Sequence, residues 1–342
     1  MPEEQVFLVS PPPHVRTDAD TRSLMLDVIV ALSLALIPAV LYFGWRTLIL
    51  TAVSVVSCLL FEWLYRMLLH KPLSLRDMSA VVTGMLLAFG LPVSVPYWLP
   101  VVGAFFAIVV VKQLYGGLGK NFLNPALAAR VFLVFSWPVH MTTWVRPFEW
   151  YPIWGASGPE ALDTITAPTP LTYLNRGVLP DMEFRIVELL LGERGGALGE
   201  ICAAVTLIGG LYLLTRRVIT PRIPVAFLGT VAVLTFVFSP ANQVRSDWMF
   251  YQLLSGSLIL GAVFMATDYA TSPVTLRGQW LYGIGCGLLT YMIRTYGIFP
   301  EGVSFAILVM NACVWVFDKT GMPRRFGTRF SLLGSRKGGG GE

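Results

Sequence analysis

The sequence predicts an all-α polytopic membrane protein: about ten transmembrane helices in two inverted five-helix repeats that contain broken half-helices. Three observations lead there. Charge is scarce, apolar runs recur along most of the chain, and glycine–proline breaks recur at one offset. Only 13% of the 342 residues are charged while 55% are hydrophobic, and mean hydropathy is +0.66. A soluble domain carries about 25% charge, so a water-soluble enzyme is excluded. A bilayer core about 30 Å thick takes ~20 apolar residues per helix, so ten spans use about 200 residues.

The apolar runs lie near 24–43, 47–65, 79–91, 97–115, 124–137, 198–215, 224–239, 249–267, 279–296 and 303–317. Residues 1–23 are polar, carry Pro11-Pro12-Pro13 and have no small-residue cleavage site after the first run. They read as a cytoplasmic tail rather than a signal peptide. Residues 24–137 hold the first repeat, 138–197 a long connection, 198–317 the second repeat, and 318–342 a basic tail. An even number of spans puts both termini on one side. That side holds 17 Lys and Arg against 7 on the other (Arg46, Arg146, Arg176, Arg185, Arg194, Arg245 and Arg294), with Arg130 inside a span. Positive charge stays in the cytoplasm, so both termini are cytoplasmic and 138–197 is external. This loop exceeds an ordinary turn. Its Trp144, Phe148, Trp150, Tyr151 and Trp154 fit either a folded cap or an interfacial aromatic belt.

The breaks come in pairs. Ser79–Leu91 covers only about 20 Å at 1.5 Å per residue and ends at Gly90-Leu91-Pro92. Ser255–Thr267 is equally short, contains Gly256 and Gly261, and runs into Ser272-Pro273. Asn124-Pro125, after Gly116-Gly117-Leu118-Gly119-Lys120, is a cap followed by a first-turn proline that opens a half-helix. Pro300-Glu301-Gly302 holds the same relative place later in the chain. The offsets are about 176 and about 180 residues. Five spans per half invert the second copy, the pattern of broken helices meeting at a central site. Close helix packing is the other use of such glycines.

Several chemistries fall away. The cysteines Cys58, Cys202, Cys286 and Cys313 show no CxxC spacing, which disfavours disulfide, zinc and iron–sulfur frameworks. His14, His70 and His140 sit at or beyond the ends of apolar runs and supply no paired haem ligands. The net charge of +5 is spread along the cytoplasmic segments and does not argue for nucleic acid. Asp27, Glu62 and Arg130 are the ionisable residues in or near spans, where such groups are functional candidates. Glu62 can pair with Arg66 at i,i+4, and Arg130 can tie two helices together or meet a phosphate.

One stretch stands apart: Asp163-Thr164-Ile165-Thr166-Ala167-Pro168-Thr169-Pro170-Leu171. A residue before proline avoids the helical region, so Pro170 holds Thr169 extended and presents its hydroxyl for modification. An ordinary Thr/Pro-rich loop has the same composition. The stretch also resembles the flavinylation motif of the family that holds the Rnf D subunit and the B subunit of Na+-pumping NADH:quinone reductase. Asp163, Thr166 and Thr169 match its Asp, hydroxyl and acceptor positions, while Pro168 replaces the family's usual Ala. Gly116–Asn121, Asn124-Pro125-Ala126, Ala266–Pro273 and Pro300–Ser304 are similar to further signature segments, so the resemblance spans nearly the whole chain. The short polar N-terminus is closer to the Rnf member.

That resemblance implies FMN on Thr169 through a phosphoester bond, and a second, non-covalent flavin (riboflavin). It implies a urea-transporter-like fold and residence in the bacterial inner membrane. The implied function is electron transfer across the membrane, between ferredoxin and NAD, coupled to Na+ or H+ translocation. Implied partners are the other Rnf subunits, above all the external FMN-carrying subunit and the membrane iron–sulfur subunits, with a flavin transferase for maturation. A phosphoester link leaves the flavin ring unmodified, so the protein tunes it by position and electrostatics. The inverted repeat places FMN near Ser304 on the external face and the second flavin near Asn124 on the cytoplasmic face, because helix N-termini favour negative charge. The alternatives are the quinone reductase's B subunit and, in another class, a non-redox broken-helix channel.

Overall fold

The computed structural model describes residues 20–72, 74–148, 169–175, 177–179, 186–192, 195–297 and 301–321. All regular structure among them is helical, and each of the ten apolar runs carries a helix. The first run forms α1 (Thr21–Phe43). It stops where Gly44 turns at φ 78° and donates its N–H to the Val40 carbonyl, and α2 (Arg46–Leu68) follows at once. Both are long and apolar enough to cross a membrane. Val30, Ile37, Leu41, Val56 and Leu60 on them are exposed, a surface that water solvates poorly.

The short runs give short helices. α3 (Ser79–Phe89) ends before Gly90, and α4 (Trp98–Phe105) continues as a π-helical stretch, Phe106–Gln113. Gly116, Gly117 and Gly119 then turn with positive φ and lead into α5 (Pro125–Ser136), followed by α6 (Pro138–Thr142). Two short helices of the long connection, α7 (Pro170–Asn175) and α8 (Ile186–Leu191), are described. Then come α9 (Ala203–Thr215), α10 (Arg222–Val237) and α11 (Arg245–Leu254).

The eighth run is not one straight helix. It bends by 65° between α11 and α12 (Leu258–Leu260), which continues as a π-helical turn, Gly261–Met265. Gly256 makes the bend at φ +69°, where a side chain is strained. α13 (Leu276–Tyr296) is long and continuous. The last run breaks as well, by 57° between α14 (Val303–Ala312) and α15 (Val314–Gly321). Taken as single spans, the two bent pairs also meet the length and apolarity a crossing needs.

Broken helices expose backbone carbonyls that a bilayer cannot solvate, so protein groups must satisfy them. Leu198 donates its N–H to Leu91 O (3.1 Å) and Gly199 to Phe89 O (2.9 Å), closing the end of α3. Gly199 has to be glycine, since a Cβ there would lie 2.6 Å from Phe89 Cβ. Arg46 donates from Nε to Val93 O and from Nη2 to Val95 O, both at 2.8 Å. At the other break, Arg294 donates to Gln252 O (2.6 Å) and Ser255 O (2.9 Å). Both arginines are buried. Their counting as external loop charges is therefore corrected: they prop irregular backbone. Losing the Arg294 donors strands two buried acceptors at about 1–3 kcal/mol each. Arg294→Met is expected to lose roughly 2–5 kcal/mol of stability, read as a lowered thermal midpoint of the purified protein in detergent.

Glycines pack α10 against α13. A Cβ at Gly283 would meet Ala226 Cβ at 2.6 Å, and one at Gly287 would meet Thr230 Cβ at 2.6 Å. This four-residue spacing of small residues lets helices approach where lipid supplies no hydrophobic drive. Here the packing use of glycine is the one realised.

Candidate functional site

Two sites lie at opposite ends of one helix pair. Asn124 caps α5: its side-chain oxygen accepts from Ala126 N (3.1 Å) and Leu127 N (3.3 Å). Its Nδ2 donates to Met265 O (3.2 Å) at the end of the π-helical turn. Six residues on, about 9 Å along the helix, Arg130 donates to Ser257 Oγ (3.2 Å) at that segment's start. α5 and the α12 segment thus run antiparallel, with one site at each end.

The first site is a cleft of about 710 Å³ including its mouth. Met25, Val82, Leu86, Val263 and Phe264 make apolar walls, and Lys112, Asn121, Asn124, Thr267 and Asp268 supply polar groups. Lys112 Nζ is buried, 2.8 Å from Glu62 Oε2 and 2.7 Å from Ser79 Oγ. Glu62 also accepts from Ser74 Oγ (2.8 Å) and lies 3.7 Å from Arg66 Nε. The expected Glu62–Arg66 pair exists, but the nearer partner is Lys112, fifty residues away in sequence. Buried Asn121 donates to Leu123 O while its side-chain oxygen, itself shielded from solvent, has no partner. Asp268 sits in the turn after the helix. Desolvation pushes its carboxyl up, against the Ala270 amide and the Thr271 hydroxyl.

This geometry amends one argument. The free N–H groups expected at the start of α5 are taken by Asn124 itself, and Pro125 has none. What faces the cleft is the capping residue together with Lys112.

The second site surrounds Thr169, which precedes α7. Its neighbours are Pro170, Leu171, Gly195, Gly196, Glu200, Gly256 and Glu301. Thr169 Oγ1 is 3.0 Å from Thr172 Oγ1, and Thr169 O accepts from Thr172 N (2.9 Å). Thr169 is half-buried rather than exposed, at a helix start where Pro170 suits the first helical position. Asp163 and Thr166 lie outside the described residues. Glu200 accepts the Ala197 N–H at 2.7 Å. Glu301 is ion-paired with Arg130, whose Nη1 also reaches Ser304 Oγ at 3.0 Å. Arg130 thus performs the tying role. Ser304 is buried behind it rather than in the pocket wall.

The third candidate, Asp27, accepts from Tyr212 Oη (2.8 Å) and Arg216 Nε (3.3 Å) and ties α1 to α9. Sequence reading missed Lys112, Glu200 and Glu301 as site residues. Glu301 stands inside one signature segment and Lys112 just before another, so proximity to those segments was the available signal.

Residues 8–327 match the model of the NQR2, RnfD, RnfE family. The chain belongs to that family. It is 45% identical over 321 residues to the D subunit of the Na+-translocating ferredoxin:NAD+ oxidoreductase complex of Acetobacterium woodii, covering 93% of this chain and 95% of that one. It is 36% identical to the D subunit of the proton-translocating complex of Clostridium ljungdahlii, covering 96% and 98%. The D subunit of an ion-translocating oxidoreductase complex of Rhodobacter capsulatus is 38% identical, covering 82% and 84%. These family relatives are named as parts of redox-driven ion-translocating complexes. Both sites lie within the span matched to the family.

Proposed function

We propose that this chain is the D subunit of an Rnf-type ferredoxin:NAD oxidoreductase complex, a multi-pass protein of the bacterial inner membrane. It passes electrons between an external FMN-carrying subunit and the cytoplasmic side, coupled to Na+ or H+ translocation. The near full-length match to D subunits supports this reading over the quinone reductase's B subunit. Ten spans in two inverted five-helix repeats, urea-transporter-like, accommodate the paired short runs Ser79–Leu91 and Ser255–Thr267 and the half-helices that open at Asn124 and Gly302. Both termini are then cytoplasmic and the Thr169 loop external. Burial of Arg46 and Arg294 takes two charges off the external count and burial of Lys112 one off the cytoplasmic count, which still leaves the bias steeper.

Thr169 carries FMN. A transferase recognising Asp163 and Thr166 forms the bond from Thr169 Oγ to the flavin-side phosphorus of a flavin dinucleotide; the pyrophosphate P–O bond breaks, the nucleoside monophosphate leaves, and the hydroxyl's proton passes to a base of the transferase. The residues present fit such a group: Gly195, Gly196 and Gly256 line the pocket beside the hydroxyl without side chains of their own, and Thr172 offers a hydrogen bond. Ser304, with Arg130, lies beneath this site. Riboflavin occupies the Asn124 cleft, whose apolar walls and polar groups suit a flavin ring. When bound, the flavins supply the redox chemistry. The chain's own residues hold them at opposite ends of the α12 segment.

The observation that carries this reading is Thr169 opening onto a pocket whose Glu301 wall is ion-paired to Arg130, on the helix that leads to the Asn124 cleft. The test is simple. Denatured full-length polypeptide, 37.7 kDa, is expected to keep flavin fluorescence on a gel. A colourless, non-fluorescent protein matured with its transferase would instead point to a non-redox channel.

A further inference from the structure

Resting on the reading of the Asn124 cleft as a flavin site, we infer that Lys112 is its charge-compensating residue, and that Glu62 sets how strongly it acts. Lys112 is the lysine of the cleft wall, and its side chain is 2% exposed. Its hydrogen-bonded counter-charges stand behind it and do not line the cleft: Glu62 directly, and Asp77 through Ser79, whose Oγ donates to Asp77 Oδ1 at 2.7 Å. Asp268 also lines the cleft; desolvation, the larger effect, pushes its carboxyl up, and the Lys112 charge opposes that shift.

A buried ion pair is costly to desolvate and seldom retained for stability alone. Here it presents a fixed positive charge to an apolar cavity, where charge interactions are only weakly screened. Reduction adds negative charge to a flavin ring. Lys112 therefore favours the reduced form, and Glu62 moderates that preference by drawing the ammonium away. Asn121 and Asn124 position the ring without charge.

The test is a spectroscopic redox titration of the purified full chain carrying Thr169→Val, so that non-covalent flavin alone reports. Removing Lys112 alone strands Glu62 and can prevent folding, so the key variant is Lys112→Met with Glu62→Gln. At fixed ambient potential it is expected to lower the reduced-to-oxidised ratio by about tenfold or more. Glu62→Gln alone is expected to raise the ratio, and Lys112→Arg to stay near the parent value. Bound flavin with the parent ratio in both the double variant and Glu62→Gln would overturn the role of Lys112. A parent chain that yields no extractable riboflavin would overturn the cleft reading, and the inference with it.

Discussion

Thr169→Val is expected to remove all flavin fluorescence from the denatured polypeptide while the protein still inserts and folds. The substitution keeps the side-chain volume and deletes the one atom a phosphoester needs. Its structural cost is the contact with the Thr172 hydroxyl at 3.0 Å, a net ~0.5–1.5 kcal/mol, too little to unfold a large helical protein. The neighbouring hydroxyls make the test sharp. Thr164 and Thr166 stand at other motif positions, and Thr172 lies within hydrogen-bond reach on the first turn of α7. Thr172→Val is the matched control and should keep its fluorescence. A fluorescent Thr169→Val band would move the attachment to one of these hydroxyls.

What the sequence made legible follows from the range of the forces involved. Scarce charge and long apolar runs act locally, so every expected run carries a helix. Asn124 followed by Pro125 is a local cap and appears as one. The breaks at Gly90 and Gly256 were readable because glycine and proline act on their own backbone. What those breaks require was not readable. Freed carbonyls at Val93, Val95, Gln252 and Ser255 are satisfied by Arg46 and Arg294, from forty to fifty residues away. In the sequence both arginines looked like loop charges.

The same limit hid half of each site. Glu62 was visible with Arg66 one turn away, but its closer partner Lys112 comes from another helix. Glu301 was visible as part of a motif, whereas its pairing with Arg130 needs α5 and α14 to meet. Charges in apolar runs could be flagged one by one. Only the fold assigns their partners.

Asn124→Ala is expected to remove the non-covalent flavin and leave covalent fluorescence from Thr169 unchanged. Alanine deletes the cap over Ala126 and Leu127 and the bond to Met265 O. A lost cap costs about 1 kcal/mol, so α5 persists, supported by buried Leu127 and Leu133 and by Arg130. The cleft, however, loses the amide that joins α5 to the π-helical turn. Asn124→Ser separates the two roles, since serine restores the cap but is too short to replace that bridge. If the bridge shapes the site, Ser behaves like Ala in flavin content and like Asn in thermal stability. Riboflavin extracted from the Ala variant at the wild-type ratio to FMN would refute the placement. A loss of both flavins together would mean that the two ends of the α12 segment assemble as one unit.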